Sequence, residues 1–296
     1  MLHLNRSWPI GRPRKTTPAV GGPLAGRTTT PASGSPTTWK LLHRNVPCLL
    51  AALCIFLAPT AQADIVDLLP RIKSAVVGVG TQHPLRSPRT RLSGTGFVVA
   101  DGHYVVTNAH VPPTLLDTEK GETLAVLLRG REGVEVRRAE KVMSDPEHDL
   151  LLLKIEGEPL PALKLGNSDR AREGQQFYFT GYPIGAVLGL NPATHHAGLA
   201  AVASIYSPVA SVRNLTPRLI RQADKPFMIF QLDATAYPGN SGSPMYDAET
   251  GEVMAVVNSV FVKGSKESAL KDPSGISYAI PVNYVRALLE SAGVRP

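Results

Sequence analysis

Gly239-Asn240-Ser241-Gly242-Ser243-Pro244 closes a series of three short segments whose order along the chain decides how everything else is read. The earlier two are Thr107-Asn108-Ala109-His110-Val111 and Asp145-Pro146-Glu147-His148-Asp149, the second running into the apolar stretch 150–155. Ser241 sits between glycines after Pro238, in a turn that must expose its side chain and aim backbone N–H groups. His110 ends an apolar strand, a rigid position from which a general base can reach a nucleophile. Asp149 opens a run of four leucines, so it can be partly buried and still hold an imidazole by one hydrogen bond. Asp145 competes for that role, but its place before Pro146 reads as a turn residue.

A serine nucleophile, a histidine base and an orienting acid recur on unrelated folds in different chain orders. A glycine-flanked serine alone points to an α/β-hydrolase, whose histidine follows its serine, yet no histidine lies beyond Ser241. The subtilisin order needs the acid before the histidine. Only Asp64, Asp67 and Asp101 precede His110, and none sits in a suitable context. The chymotrypsin order, His110 then Asp149 then Ser241, is the one that remains.

The net charge of +7 is confined to the first part of the chain. Of 31 basic and 24 acidic residues, residues 1–63 hold seven basic and no acidic ones, so the remainder balances at 24 of each. No nucleic-acid footprint follows from that charge. Residues 46–57 form an apolar run preceded by Lys40, His43 and Arg44 and followed by Ala61-Gln62-Ala63, the tripartite pattern of a secretory signal peptide cut after Ala63. A bilayer-spanning helix wants about 20 apolar residues, so the run is short for an anchor, and no stable membrane insertion is expected after cleavage. Residues 1–39 are rich in Pro, Thr, Gly and Arg and read as a disordered extension of the leader. The expected location is periplasmic or secreted.

Both cysteines, Cys48 and Cys54, fall in the leader, so residues 64–296 hold none. Disulfides, a cysteine nucleophile and cysteine-based zinc sites are thereby excluded from that part. The histidines there are His83, His103, His110, His148, His195 and His196. His83 and His103 read as solvated turn residues. The His195–His196 pair invites a metal reading, but adjacent strand residues face opposite ways. No metal and no organic cofactor are expected.

Residues 64–73 read as a short amphipathic segment broken by Pro70. Beyond Ser74 the signals are strands: 75–79, 95–100, 104–107, 123–128, 134–142, 150–155, 176–180, 197–205, 227–233, 253–262 and 276–279. Asp101-Gly102 between two apolar runs is a hairpin signal. Many short strands at this spacing read as an all-β fold of two antiparallel barrels, with a connector around 156–169 marked by Pro159, Pro161 and Gly166. The expected organisation is a leader over 1–63, a first barrel over 64–158 with His110 and Asp149, and a second over 159–296 with Ser241. A helix with Val282, Val285, Leu288 and Leu289 on one side ends the chain. No internal sequence repeat is visible.

Taken together, Ser93-Gly94-Thr95-Gly96-Phe97-Val98, Asp101-Gly102, the His110 and Asp149 segments, Leu163-Lys164-Leu165-Gly166-Asn167-Ser168, Gly181-Tyr182-Pro183-Ile184-Gly185, the stretch from Asp233 to Pro244, and Ile276-Ser277-Tyr278-Ala279-Ile280-Pro281 resemble trypsin-like serine proteases of the HtrA (DegP) type. The resemblance implies two six-stranded chymotrypsin-like barrels with short N- and C-terminal helices. It implies His110 as base, Asp149 as orienting acid and Ser241 as nucleophile. The turn of Gly239, Asn240 and Ser241 becomes the oxyanion hole, with the N–H groups of Gly239 and Ser241 as donors. A homotrimer through the N-terminal segment is a further implication.

Departures from the family pattern carry information. Asn240 replaces the aspartate that digestive trypsins pair with a newly cut N-terminus, so that activation route is excluded. Ser243 stands for the usual second glycine, and Tyr237 stands where the family commonly has Asn. Such enzymes typically add a PDZ domain, and none is expected beyond the protease-like segments. Thr235, six residues before Ser241, is expected near the floor of the primary pocket, with Tyr237 close to the cleft. Threonine cannot neutralise Lys or Arg, so small or medium uncharged side chains are the expected preference. The expected function is cleavage of unfolded or flexible protein segments through an acyl-enzyme. The alternatives are a non-catalytic peptide-binding or chaperone-like module on the same fold, and an esterase using the same triad.

Overall fold

Strand β6 (Leu150–Ile155) explains the architecture, because Leu150, Leu151, Leu152 and Leu153 are all buried. Alternate residues of a strand point to opposite faces. Leu151 and Leu153 enter a core with Val77, Val79, Val98, Val105 and Val126, whereas Leu150 and Leu152 enter a second core with Phe97, Tyr182, Tyr246, Val256 and Val285. The first core is the inside of a barrel and the second is the seam between that barrel and another. Each fully buried leucine contributes about 1.5–3 kcal/mol of hydrophobic stabilisation.

The computed structural model describes residues 65–130, 133–185, 190–204, 227–258 and 275–296. The leader, its cysteines, the cut after Ala63 and the ends of the 197–205 and 253–262 runs lie outside the described residues.

The first barrel is formed by β1 (Val76–Gln82), β2 (Thr90–Val99), β3 (Tyr104–Asn108), β4 (Thr123–Arg129), β5 (Val134–Asp145) and β6, closed in the order β1-β2-β3-β6-β5-β4. The second holds β7 (Gln176–Gly181), β8 (Ala193–Ser204), β9 (Met228–Asp233), β10 (Pro244–Asp247), β11 (Val253–Asn258) and β12 (Ile276–Pro281). It closes as β10-β11-β12-β9-β8-β7, the same ring of neighbours as the first once the strands are renumbered from one. All pairings are antiparallel. Topology therefore repeats where sequence does not. Strand β10 has no counterpart among the sequence expectations. It is four residues long and opens with proline, directly after the Ser241 turn.

The expected hairpin joins β2 to β3, with Val99 opposite Tyr104. Gly102 has φ +93, and an added Cβ would meet the Leu160 carbonyl oxygen at 2.5 Å, so the connector packs where only glycine fits. The second barrel's own core comprises Phe177, Phe179, Leu199, Phe230, Leu232 and Met245.

Two helices cover the seam. Helix α1 (Ile65–Ala75) runs through Pro70, so the expected break does not occur. Pro70 lies one turn in, where its missing N–H removes one bond to the carbonyl of Val66, an exposed residue. Ile72 and Ala75 anchor the helix in the seam core, and Arg71 Nη2 donates to the Thr250 carbonyl at 3.1 Å. Helix α2 (Val282–Ser291) buries Val282, Val285, Leu288 and Leu289. Arg286 Nε donates to the Gly166 carbonyl at 3.0 Å, which ties α2 to the connector. Among the described residues no helix is long and apolar enough to cross a membrane.

Candidate active site

His110 follows β3 in a tight turn, with its N–H donating to Asp149 Oδ1 at 3.0 Å and its Nδ1 2.5 Å from Asp149 Oδ2. A carboxylate only accepts, so Nδ1 carries the proton and Nε2 is left as the basic nitrogen. Asp149 has φ +53, a left-handed conformation that costs a residue with a side chain about 1 kcal/mol or more. Surrounding bonds hold it there. The Asp149 carbonyl accepts from the Ala109 N–H at 3.1 Å and from Asn108 Nδ2 at 3.0 Å. Its Oδ2 also accepts from Asn258 Nδ2 at 2.7 Å. The side chains of His110 and Asp149 are 29% and 21% exposed.

Asp145 is not at the site. Its Oδ2 lies 2.6 Å from His148 Nδ1, and its Oδ1 accepts from the N–H groups of Glu147 and His148, the turn role read from Asp-Pro. The His148 ring stacks on Tyr284 of α2, with centroids 4.1 Å apart.

Ser241, 4% exposed, belongs to the second barrel and is tied to the first by a backbone contact. Its carbonyl accepts from the Thr95 N–H at 2.9 Å, and the Gly242 N–H donates to the Val257 carbonyl at 2.9 Å, one residue before Asn258. At Gly94 an added Cβ would stand 2.8 Å from Val111 Cγ1 and 3.0 Å from the Ser241 carbonyl oxygen. The residue after His110 and the backbone of Ser241 thus meet where no side chain fits. Gly239 (φ +101) is equally constrained, since a Cβ there would lie 2.2 Å from the Tyr182 carbonyl oxygen. The Asn240 side chain, in place of an ion-paired aspartate, is fully buried.

Thr235 and Tyr237 are half-buried in the segment leading to that turn. Ser277 Oγ fixes the segment by donating to the Ala234 carbonyl at 2.7 Å and accepting from the Ala236 N–H at 2.8 Å.

Residues that sequence did not place near the site include Asn258, Ser277 and His195. Asn258 looked like part of an apolar strand, and its partner Asp149 is remote in the chain. Asn258→Leu removes a charge-assisted donor and is expected to lower kcat about 10-fold with little change in KM, measured on a peptide p-nitroanilide. An unchanged kcat would show that the bond does not orient Asp149. Ser277 offered no signal beyond its family-like neighbours.

The third is His195, weighed from sequence only as half of the His195–His196 pair. It lies on β8 opposite Phe179, while His196 lies opposite Tyr178, so the two rings occupy opposite faces. The His195 ring stacks on Phe179 (4.8 Å, 16°) and lies 6.4 Å from the Tyr237 ring. Its Nε2 is buried without a hydrogen-bond partner. Burial pushes its pKa below the ordinary histidine value, so the folded state favours the neutral ring. The unfolded chain takes up a proton near the ordinary value of about 6.5. Stability is therefore full above that pH and falls as pH drops through the lowered folded value. His195→Leu is expected to flatten the loss of Tm below about pH 6.5. Parallel Tm–pH curves for the two proteins would refute this. Among the described residues no cluster of His, Cys, Asp or Glu could hold a metal.

Comparison with known proteins places this geometry. The trypsin-like peptidase domain family matches residues 94–256. A probable periplasmic serine endoprotease DegP-like from Marinomonas sp. (strain MWYL1) is 28% identical over 211 residues, covering 71% of this chain and 38% of that protein. The one from Halomonas elongata is 31% identical over 198 residues, covering 67% and 34%. The chain thus spans well under half the length of these relatives. Among solved structures, HtrA-type protease AlgWS227A with tripeptide superposes with a TM-score of 0.54 at 26% identity, covering 77% of this chain and 63% of that one. With two closed barrels of one topology and the family match over more than half its length, this chain belongs to the trypsin-like peptidase domain family, and within it to the HtrA/DegP type.

Proposed function

We propose that the protein is an exported serine endopeptidase that cleaves unfolded or flexible protein segments through an acyl-enzyme. The observation that carries this reading is the clamped Asp149–His110 pair, which fixes the imidazole with Nδ1 protonated and Nε2 basic. Ser241 Oγ attacks the scissile carbonyl carbon while His110 Nε2 takes its proton. The tetrahedral intermediate collapses as the C–N bond breaks, and the imidazolium returns that proton to the leaving amine. Water, deprotonated by the same nitrogen, then hydrolyses the ester and restores Ser241. The N–H groups of Gly239 and Ser241 stabilise the oxyanion in both halves.

Thr235 and Tyr237 shape the primary pocket, which has no counter-charge for Lys or Arg and favours Val, Ala or Leu before the scissile bond. The relatives named as periplasmic support an exported location, and the apolar run before Ala61-Gln62-Ala63 supports removal of the leader of residues 1–63 after Ala63. The two halves, 64–158 and 159–296, carry the base and acid on one side and the nucleophile on the other. Assembly as a homotrimer through α1 belongs to the same reading.

The test has two arms. A fluorophosphonate probe should label the purified protein, with peptide mapping locating the adduct on Ser241. Unfolded β-casein should yield fragments ending in Val, Ala or Leu. A labelled protein whose fragments end in Lys or Arg would overturn the pocket assignment. Failure of both arms would overturn the endopeptidase reading.

A further inference from the structure

The backbone around Ser241 can be accounted for one carbonyl at a time. The Tyr237 carbonyl accepts from the Asn240 N–H at 2.9 Å, that of Pro238 from the Ile184 N–H at 2.7 Å, and that of Asn240 from the Ser243 N–H at 3.0 Å. The Ser241 carbonyl accepts from the Thr95 N–H at 2.9 Å, and the Gly239 carbonyl from Thr95 Oγ1 at 2.7 Å. All five carbonyls are held, and two of them by one residue. Only the Gly239 carbonyl depends on a side chain.

That side chain has no freedom to do otherwise. Thr95 Oγ1 accepts from the Tyr182 N–H at 3.0 Å, so its own hydrogen is committed to the Gly239 carbonyl. Its carbonyl accepts from Thr107 Oγ1 at 2.6 Å, and the residue is wholly buried. Thr95 lies on β2 of the first barrel, whereas the turn it holds belongs to the second.

In a trans peptide the N–H points away from the C=O of the same unit. Holding the Pro238 carbonyl toward Ile184 therefore turns the Gly239 N–H the other way, and holding the Asn240 carbonyl toward Ser243 does the same for the Ser241 N–H. Between these two donors stands Gly239, which has no Cβ to restrict its rotation. The peptide on its N-terminal side is fixed by Ile184, and the one on its C-terminal side at both ends, by the Tyr237 carbonyl at the Asn240 N–H and by the Thr95 hydroxyl at the Gly239 carbonyl.

We infer that Thr95 is a positioning residue that sets the oxyanion-stabilising conformation of the 239–241 turn, coupling the nucleophile's backbone to the barrel that carries His110 and Asp149. The inference rests on the endopeptidase reading and adds to it a residue outside the triad. Thr95 touches no reacting atom and acts through the direction of backbone N–H groups. Its loss should weaken binding of the transition state more than binding of substrate.

The experiment compares Thr95→Val, which keeps the shape and removes the hydroxyl, with Thr95→Ser, which keeps the hydroxyl. Thr180→Val is the stability control. Thr180 Oγ1 lies 2.9 Å from Thr194 Oγ1 and 2.8 Å from the Tyr246 hydroxyl, so its removal also strands buried polar groups in the second barrel, on a side chain whose two bonds do not involve the turn. All are assayed with a peptide p-nitroanilide ending in Val and with the matching peptide boronic acid, below each variant's Tm. T95V should lower kcat about 100-fold with KM within twofold, and weaken boronate binding by a similar factor. T95S should stay within about threefold of wild type, and T180V should keep its kcat and boronate affinity. A T95V enzyme with wild-type kcat and boronate affinity overturns the inference alone, as does an equal fall in T180V. A wild-type protein that neither cleaves the peptide nor reacts with a fluorophosphonate overturns the endopeptidase reading, and this inference with it.

Discussion

Ser241→Ala is expected to lower kcat by roughly 10⁶-fold while leaving the fold intact. The substitution removes only Oγ. The bonds that shape the turn engage its main chain, among them those from the Thr95 N–H to the Ser241 carbonyl, from the Gly242 N–H to the Val257 carbonyl and from the Thr95 hydroxyl to the Gly239 carbonyl. Residual rate above the uncatalysed reaction would come from oxyanion stabilisation and binding, which the variant retains. Kinetics on a peptide p-nitroanilide, beside thermal melts of both proteins, measure the two halves of this expectation. A variant that keeps more than a hundredth of wild-type kcat would remove Ser241 as nucleophile. A collapse of Tm would instead point to a structural role for the hydroxyl.

Asp149→Asn should lower kcat about 10⁴-fold, equivalent to about 5.5 kcal/mol of transition-state stabilisation. The reason lies in the donor and acceptor count at the carboxylate. Asp149 accepts three N–H groups, two from His110 and one from Asn258. A carboxamide of the same shape has one accepting oxygen and an NH₂ group, so it must turn a donor toward at least one of those N–H groups. With the oxygen toward the His110 main chain, the NH₂ faces Nδ1. That favours the tautomer with the proton on Nε2, which cannot accept from Ser241. Nitrogen-15 chemical shifts of the His110 ring, read beside kcat, would report the tautomer directly. An unchanged tautomer together with kcat within tenfold of wild type would sink the assignment of Asp149 as the orienting acid.

How much of this was legible beforehand depends on how far apart in the chain each feature's partners lie. Two barrels followed from strand-length apolar runs and turn residues, which are local. Asp149 and Asp145 could be told apart because proline after Asp145 favours a turn, and that turn is where Asp145 lies, bonded to His148. Thr95, Asn258 and Ser277 were invisible as site residues. Their chemistry comes from partners that approach only when strands pair or barrels dock, as between Thr95 and Gly239 or Asn258 and Asp149. Pro70 misled for a related reason. Its local cost is real, but Ile72 and Ala75 beyond it are buried in the seam, and that packing carries the helix through. The shared ring order of the two barrels left no trace in sequence, because topology constrains burial patterns and turns rather than residue identities.

The seam that α1 and α2 cover joins two halves, neither of which holds a working set of groups. His110, Asp149 and Thr95 stand on one side, Ser241 and Asn258 on the other, and the bonds among them cross the boundary. The proposed chemistry therefore behaves as a coincidence detector, present only in members of the native ensemble in which both barrels are folded and apposed. A fluctuation that parts them by a few ångströms leaves nearly every strand ladder in place and abolishes turnover. The proposed catalytic competence is thus expected to be lost at a lower free energy than the secondary structure that frames it.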